Sequence, residues 1–473
     1  MSSRNRIAIS AFGILLIGAS MRAMPAPIQE PKSAVTFSKD VLPILQKNCQ
    51  SCHRPGQIGP FSLLSYKEAR PWAKAIKGAV ASRTMPPWLA DPQYGHFDND
   101  RSLKQSDIDT IVAWVNGGAA EGDPKDAPAP IHWPEGGWQI QPDVVVELPP
   151  FPVPARGILD WQSLAIPAPF KEDTWVTSVQ IMPGEPAAVH HMRVGFEKHQ
   201  PGTKYNMYEW TEIPRDDEGI TKNRGEGPAE VIVASREVGS TEVKRRPGRP
   251  LQPNGNVDFL YLPGLPITDY RPLNAGFLVP AGSDIIMNLH YTTNGLAVTD
   301  NSKVGFTIAR KPPAKQVLPQ GREGDSEGRK VNVVPVQQKS RITDLAIPPY
   351  EGHYLAPVTE LTFNKDSEII SLNPHAHVRA TSVQYKLIYP DGREEIVLNV
   401  PHYDFNWQLL YRTSIKVPKG SRMLVQFAYD NSPNNKYNPD PSKWVYYGQQ
   451  SWEEMGTPFV SVLVDNNSNK TNE

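Results

Sequence analysis

Thr381-Ser382-Val383-Gln384-Tyr385-Lys386-Leu387-Ile388-Tyr389-Pro390-Asp391-Gly392 decides how most of the chain is read. Apolar and polar residues alternate from Thr381 to Tyr389, the pattern of a strand with one buried and one wet face. Tyr389-Pro390-Asp391-Gly392 then reads as a tight turn, in which Gly392 is able to take positive φ. The same grammar, short apolar or alternating runs cut by Pro, Gly, Asn and Asp, recurs at Val144–Leu148, Trp175–Met182, Ile285–Tyr291 and Met423–Tyr429. It predicts antiparallel β-sandwiches from Trp138 onward. The 48 prolines of the 473 residues fit this, because each removes a backbone donor that a long helix would need.

The N-terminal part reads differently. Asp40–Gln46 with a cap at Ser38, Tyr66–Arg83, and Asp107–Gly117 capped by Ser106 predict a small all-α domain over residues 35–122. Residues 123–137 hold Pro124, Pro128, Pro130 and Pro134 and suit a semi-stiff linker. Residues 198–255 are polar and poor in periodicity, which predicts long loops with Lys244, Arg245, Arg246 and Arg249 on a solvated surface. Residues 466–473 have the composition of a disordered tail.

At the start of the chain, Arg4 and Arg6 precede the apolar run Ile7–Ala19, and small residues follow at Ala23–Ala26. This is the layout of a signal peptide over residues 1–26, and it predicts an exported protein, periplasmic or on the cell surface. No later run approaches the roughly 20 apolar residues that span a bilayer, so no integral membrane span is expected after cleavage. A net charge of −1 gives no field that would gather nucleic acid or an anionic membrane.

Both cysteines lie in Cys49-Gln50-Ser51-Cys52-His53. Two thiols one helical turn apart followed by an imidazole can link one haem covalently and ligate its iron through His53. A thioredoxin-like dithiol would need a βαβ setting, and half a zinc site would need a second pair of ligands. Met85 in Thr84-Met85-Pro86-Pro87-Trp88 is the expected second axial ligand, with His96 as its main competitor. With this motif and a closing helix around Trp114, residues 35–122 resemble the cytochrome c fold.

The histidines beyond the haem motif fall into two sets. His375 and His377 are two apart, so on a strand both imidazoles leave one face and can share an ion. Met455 from a later strand would add a soft sulfur, which suits copper better than zinc or iron. His190 and His191 are adjacent and would point to opposite faces of a regular strand, so a bulge or strand end is required there. With His290 from another strand, a three-imidazole site is then possible.

The order Val189-His190-His191-Met192, Leu289-His290-Tyr291, Pro374-His375-Ala376-His377, Glu453-Glu454-Met455 resembles the copper type II, ascorbate-dependent monooxygenases, the family of peptidylglycine hydroxylating monooxygenase and dopamine β-monooxygenase. Pro401-His402-Tyr403 is similar to a histidine-tyrosine segment found there. The resemblance implies two jelly-roll-like β-sandwiches, residues 138–312 with an electron-transfer copper on His190, His191 and His290, and residues 313–465 with a catalytic copper on His375, His377 and Met455. It departs from the animal enzymes in having no cysteine in this region. The expectation is therefore a small all-α cytochrome c domain followed by two antiparallel β-sandwich domains. The expected activity is hydroxylation of an organic substrate by dioxygen, with two copper ions and one covalent haem c per chain. Electrons would reach the haem from a small reductant or redox protein. A haem and copper electron-transfer or copper-binding protein without oxygenase activity is the competing expectation, and structural zinc at the histidine sets a third.

Overall fold

The computed structural model of the protein describes residues 35–157, 159, 161–212, 231–248, 259–265, 267–318, 336–338, 345–448 and 450–466. The signal peptide expected at residues 1–26, Arg249 and all but the first residue of the C-terminal tail fall outside them. Strand accounts for 40% of the chain and helix for 13%, so the protein is rich in β-sandwich.

Two sheets face each other in the first half. One runs Val144–Glu147, Lys303–Ile308, Thr174–Met182, Ala275–Val279; the other runs Lys244–Gly248, Val231–Glu237, Met207–Glu212, Gln162–Pro167, Ser283–Tyr291, Val189–Lys198, Phe259–Tyr261. Their apolar faces enclose one core, with Val176, Val179 and Ile181 against Val194, Phe196, Ile285 and Met287. Thr174–Met182, Val189–Lys198 and Ser283–Tyr291 are buried almost throughout, so they form the middle of the two packed sheets. The first sheet does not stop there. Ala275 and Gly276 pair in parallel with Lys315 and Gln316, and the sheet continues through Gly456–Asp465 and Ser367–Ala376 to Tyr411–Val417. It becomes one wall of a second sandwich, whose other wall is formed around Thr359–Phe363, Arg422–Tyr429, Ala380–Ile388 and Glu394–Val400. The strand read from Thr381 runs Ala380–Ile388, and Gly392 takes φ 86° in the turn that follows it.

The expected all-α cytochrome c domain is not what the N-terminal part forms. Its helices are short: Leu42–Asn48 after a π-helical turn at Phe37–Val41, then Tyr66–Ala69, Ala73–Ala81 and Gln105–Asn116. The run expected as one helix from Tyr66 to Arg83 is interrupted by a 3-10 turn at Arg70–Trp72, where Pro71 has no N–H to donate. The last helix begins after Lys104 rather than at a Ser106 cap. Although Trp114, Phe37, Leu45 and Leu103 gather these helices into a small core, residues 88–99 leave it for the sheets. Trp88, Leu89, Ala90 and Phe97 pack into the second sandwich, with Trp88 edge-on to Tyr411 at 5.0 Å. The segment is thus a helical attachment to a β protein.

Residues 198–255 also differ from the loops expected. Their described part supplies the strands Met207–Glu212, Val231–Glu237 and Lys244–Gly248, which widen the seven-stranded sheet. Arg245 pairs with Glu212 at 2.9 Å, Arg246 with Glu209 at 3.5 Å and Lys244 with Glu237 at 3.6 Å across those strands. Cross-strand ion pairs suit an exposed sheet edge, where charge discourages pairing with another chain.

Candidate metal centre

The first histidine set is made by a break in strand register. Val189 pairs with Tyr291 and His191 with His290, so His190 is the extra residue of a β-bulge. The bulge turns His190 to the same side as its neighbour, as adjacency in sequence required. The Nδ1 atoms of His190 and His191 lie 2.9 Å apart, and nitrogens of His190, His191 and His290 all fall within 4.8 Å of one another. The three ring centres form a nearly equilateral triangle of 5.0 to 5.1 Å. Three imidazoles sharing one ion at about 2.0 Å per nitrogen would place their centres roughly 5.4 Å apart, so this is a possible metal site.

The second set sits at the end of Ser367–Ala376. His375 and His377 lie on one face with ring centres 5.3 Å apart. The Nδ1 of His375 meets Gln408 Oε1 at 2.5 Å, and the Nδ1 of His377 meets the Glu453 carbonyl at 3.3 Å. Fixing one ring nitrogen leaves the other for an ion, the usual outer-shell arrangement of a metal-ligating histidine. Met455 directly precedes Gly456, the register partner of Ala376, and is buried at the same strand end. The Glu454 carboxylate accepts from the N–H groups of His377 at 2.9 Å, Arg379 at 2.6 Å and Met455 at 3.2 Å. It ties both ligand-bearing segments together. Tyr403 bridges the N–H and C=O of Ala376, each at 3.1 Å, between the two histidines, while His402 is exposed and takes no part.

Burial sets the electrostatics. It brings His190 down to about 4 and His377 to about 3, and holds His191, His290 and His375 well below the ordinary imidazole range. The buried cation Arg193 lowers the last four further. Neutral imidazoles are the ligating form. Four of their nitrogens, His191 Nε2, His290 Nδ1, His375 Nε2 and His377 Nε2, are buried without a hydrogen-bond partner. Such orphaned acceptors or donors are costly unless something occupies them, and His190, His191 and His290 have the spacing to hold a metal ion. Copper is an ion that three imidazoles, or two imidazoles with a thioether, would suit.

Cys49 ends the helix Leu42–Asn48, and its carbonyl accepts from Cys52 at 3.1 Å and from His53 at 2.9 Å. This turn holds the three groups of the motif together. The Nδ1 of His53 meets the Phe61 carbonyl at 3.1 Å, which leaves Nε2 for iron. Gly59 lies so close that a Cβ there would come within 2.9 Å of the His53 ring. Burial and the neighbouring Cys52 push the Cys49 thiol up to about 12. The two thiols and the Nε2 of His53 are the groups that would hold a haem here. Met85 follows the helix Ala73–Ala81 in a half-buried loop, its N–H bonded to Ala79 at 3.3 Å.

Comparison with known proteins adds no identity. No family model matches the chain, and no curated protein matches its sequence. Among solved structures, the infectious bursal disease virus Gx strain is similar at 8% identity over 70% of this chain and 73% of that one, with a TM-score of 0.17. The PBCV-1 VP54 structure fitted into the virophage Sputnik reaches 7% identity over 69% and 94%, at 0.21. A Paenibacillus xanthan lyase reaches 9% over 72% and 28%, at 0.17. At these scores the likeness carries no argument about fold or function.

Several residues of the site were not singled out in the sequence. Trp161 lies 4.8 Å from His191, 5.4 Å from His290 and 6.2 Å from His375 between ring centres. Phe405 stacks on His190 at 5.0 Å and lies 6.0 Å from His377. Gln408 and Arg193 act through a hydrogen bond and through charge. None of these four belongs to a spacing pattern, so only the folded chain reveals them, while Glu454 stands in the Glu453-Glu454-Met455 segment and only its hydrogen bonds come from the fold. A cavity of about 110 Å³ opens at the seam of the sandwiches, where Phe459 lies 6.1 Å from His375.

Proposed function

We propose that this chain is an exported copper-dependent monooxygenase that hydroxylates an organic substrate with dioxygen. Two copper ions per chain would be held by His190, His191 and His290 and by His375, His377 and Met455. A haem c would be held through Cys49 and Cys52, with His53 and Met85 to ligate its iron, and would deliver electrons from an external donor. The reading rests above all on two unlike imidazole sets, each with two buried ring nitrogens that have no hydrogen-bond partner, one of them at the strand end that carries Met455.

When bound, copper supplies one-electron redox chemistry and a place for dioxygen. The chain supplies the rest. Gln408 and the Glu453 carbonyl orient His375 and His377, while Glu454 fixes the backbone that carries His377 and Met455. Trp161, Phe405 and Phe459 line the sets with apolar surface and keep water from the ligand nitrogens. The cavity at the seam is lined by Phe459 and Asn373 together with Asp269 and Arg412, and by none of the histidines. Placing one oxygen atom of dioxygen into a C–H bond and releasing the other as water consumes two electrons and two protons from outside the substrate. That demand explains a haem on the same chain. The motif is docked where it can serve: Gly264 abuts Cys52 Sγ, and Arg101 donates to the Gly264 carbonyl at 3.2 Å. The strand just before, Phe259–Tyr261, pairs with Val189–Lys198 next to the first histidine set.

Protein produced in a haem-maturing periplasm is expected to carry one covalent haem and two copper ions per chain. With a reductant and substrate it is expected to consume dioxygen only when copper-loaded. Uptake unchanged by copper removal, or haem lost in denaturant, would overturn the reading.

A further inference from the structure

The copper sets of the proposed function need not be distant from one another. We propose that the five imidazoles form a single continuous nest holding two neighbouring ions, with Trp161 as the wall they share. This rests on the copper reading above, and it adds how the two sets are joined.

The ring centres of His191 and His375, one from each set, are 6.3 Å apart. That is only about an ångström more than the spacing within each set, 5.0 to 5.1 Å in the first and 5.3 Å in the second. Both rings are 1% exposed, so solvent does not separate them. The aromatic side chains interlock across the seam. Trp161, next to the first-sandwich strand Gln162–Pro167, reaches His191 and His290 of the first set and His375 of the second. Phe405, from the second sandwich, reaches His190 and His290 of the first set and His377 of the second. Each half of the molecule thus supplies a ring to the other half's ligands. The Trp161 Nε1 is itself buried without a partner, an unusual state for an indole N–H unless its surroundings are completed by something bound. Arg193 lies 5.0 Å over the Trp161 ring and 5.0 Å over Phe459, closing the same wall. An electron passing between the sets would cross one layer of packed rings and would need no domain motion.

The test is magnetic. Protein loaded with copper(II) alone is expected to give a broadened resonance spectrum with integrated intensity below that of two independent spins, because neighbouring ions couple. His290→Ala, which removes a ligand of the first set only, is expected to leave one sharp, uncoupled signal from the second. Trp161→Leu is expected to shift the spectral parameters of both ions together, and Trp161→Phe to restore most of the original line shape. Two sharp, non-interacting signals that integrate to two spins would overturn the shared nest and leave the copper reading standing. Uptake of fewer than two copper ions per chain would overturn both. A Trp161→Leu protein that remains folded by circular dichroism and alters only one signal would also overturn the shared wall.

Discussion

Gln408 touches no nitrogen that faces a metal, yet it decides how His375 is presented. Its Oε1 lies 2.5 Å from the Nδ1 of that ring and leaves Nε2 pointing away from the hydrogen bond. Gln408→Leu keeps the volume and removes the acceptor. It is expected to weaken copper at the second set by about 10 to 100-fold, the usual effect of losing an outer-shell partner, as read by competition with a copper(I) chelator; unchanged affinity would deny Gln408 that role. Met455→Ala is expected to lower copper(I) affinity at the same set and nearly abolish oxygenation, while the haem spectrum stays as it is. The imidazoles also impose a pH dependence on the copper-free protein. Burial lowers His190 from 6.5 to about 4 and His377 from 6.5 to about 3, so below 6.5 the unfolded chain binds more protons than the folded one. Stability is then expected to fall with pH through that window, by up to about 1.4 kcal/mol per pH unit for each such imidazole. Thermal melts of the apo protein between neutral and acid pH would show it, and a flat profile would contradict the burial of these rings.

Strand ends position the ligands, and at this scale small residues matter. A Cβ on Gly456 would stand 2.5 Å from the Tyr429 hydroxyl, which donates to the Met455 carbonyl at 2.7 Å. Gly456→Ala is expected to cost about 1 to 3 kcal/mol through overpacking and to displace Met455, so melting temperature and second-set copper affinity should fall together. A drop in one without the other would separate Gly456 from the site. Ala380–Ile388 was legible because period-two alternation survives in it, whereas Thr174–Met182 and Ser283–Tyr291 are buried almost throughout and were legible as short apolar runs between turn residues. The adjacency of His190 and His191 likewise demanded a bulge or a strand end, and the register shifts there. Helical reading served less well. Tyr66–Arg83 had the composition of a helix, but Pro71 divides it, and residues 84–103 contribute Trp88 and Phe97 to the packing of a sandwich that local pattern could not reveal. The edge strand Lys244–Gly248 was hidden by its charge, since Lys244, Arg245 and Arg246 occupy a sheet edge where no apolar face is required.

Over the whole molecule, the haem motif, the linker and the sandwiches form joined surfaces. The proline-rich segment 123–137 is held at several points: Gln46 donates to the Ala129 carbonyl at 3.0 Å, Arg54 lies 4.1 Å over the Trp133 ring, and Gln180 donates to the Gly137 carbonyl at 2.9 Å. It behaves as a strap rather than a tether. Asn99 and Arg101 fasten the same unit to both halves, through the Leu410 carbonyl at 2.7 Å and the Gly264 carbonyl at 3.2 Å. Arg101→Ala is expected to loosen the contact between Cys52 and Gly264 and slow electron delivery without changing haem attachment. None of these long-range joints leaves a trace in local sequence, because the partners lie far apart along the chain. Sequence therefore marked the candidate residues by their spacing and left their common burial, and the packing around Cys49-Gln50-Ser51-Cys52-His53, to the fold. The most direct test is to mix the reduced protein with dioxygen and substrate and follow the haem by stopped-flow absorbance, with and without copper. Haem iron ligated by His53 and Met85 has no open position for dioxygen, so rapid reoxidation is expected only in the copper-loaded protein. Reoxidation at the same slow rate in both would mean that the haem does not feed the histidine sites, and would contradict the proposed function.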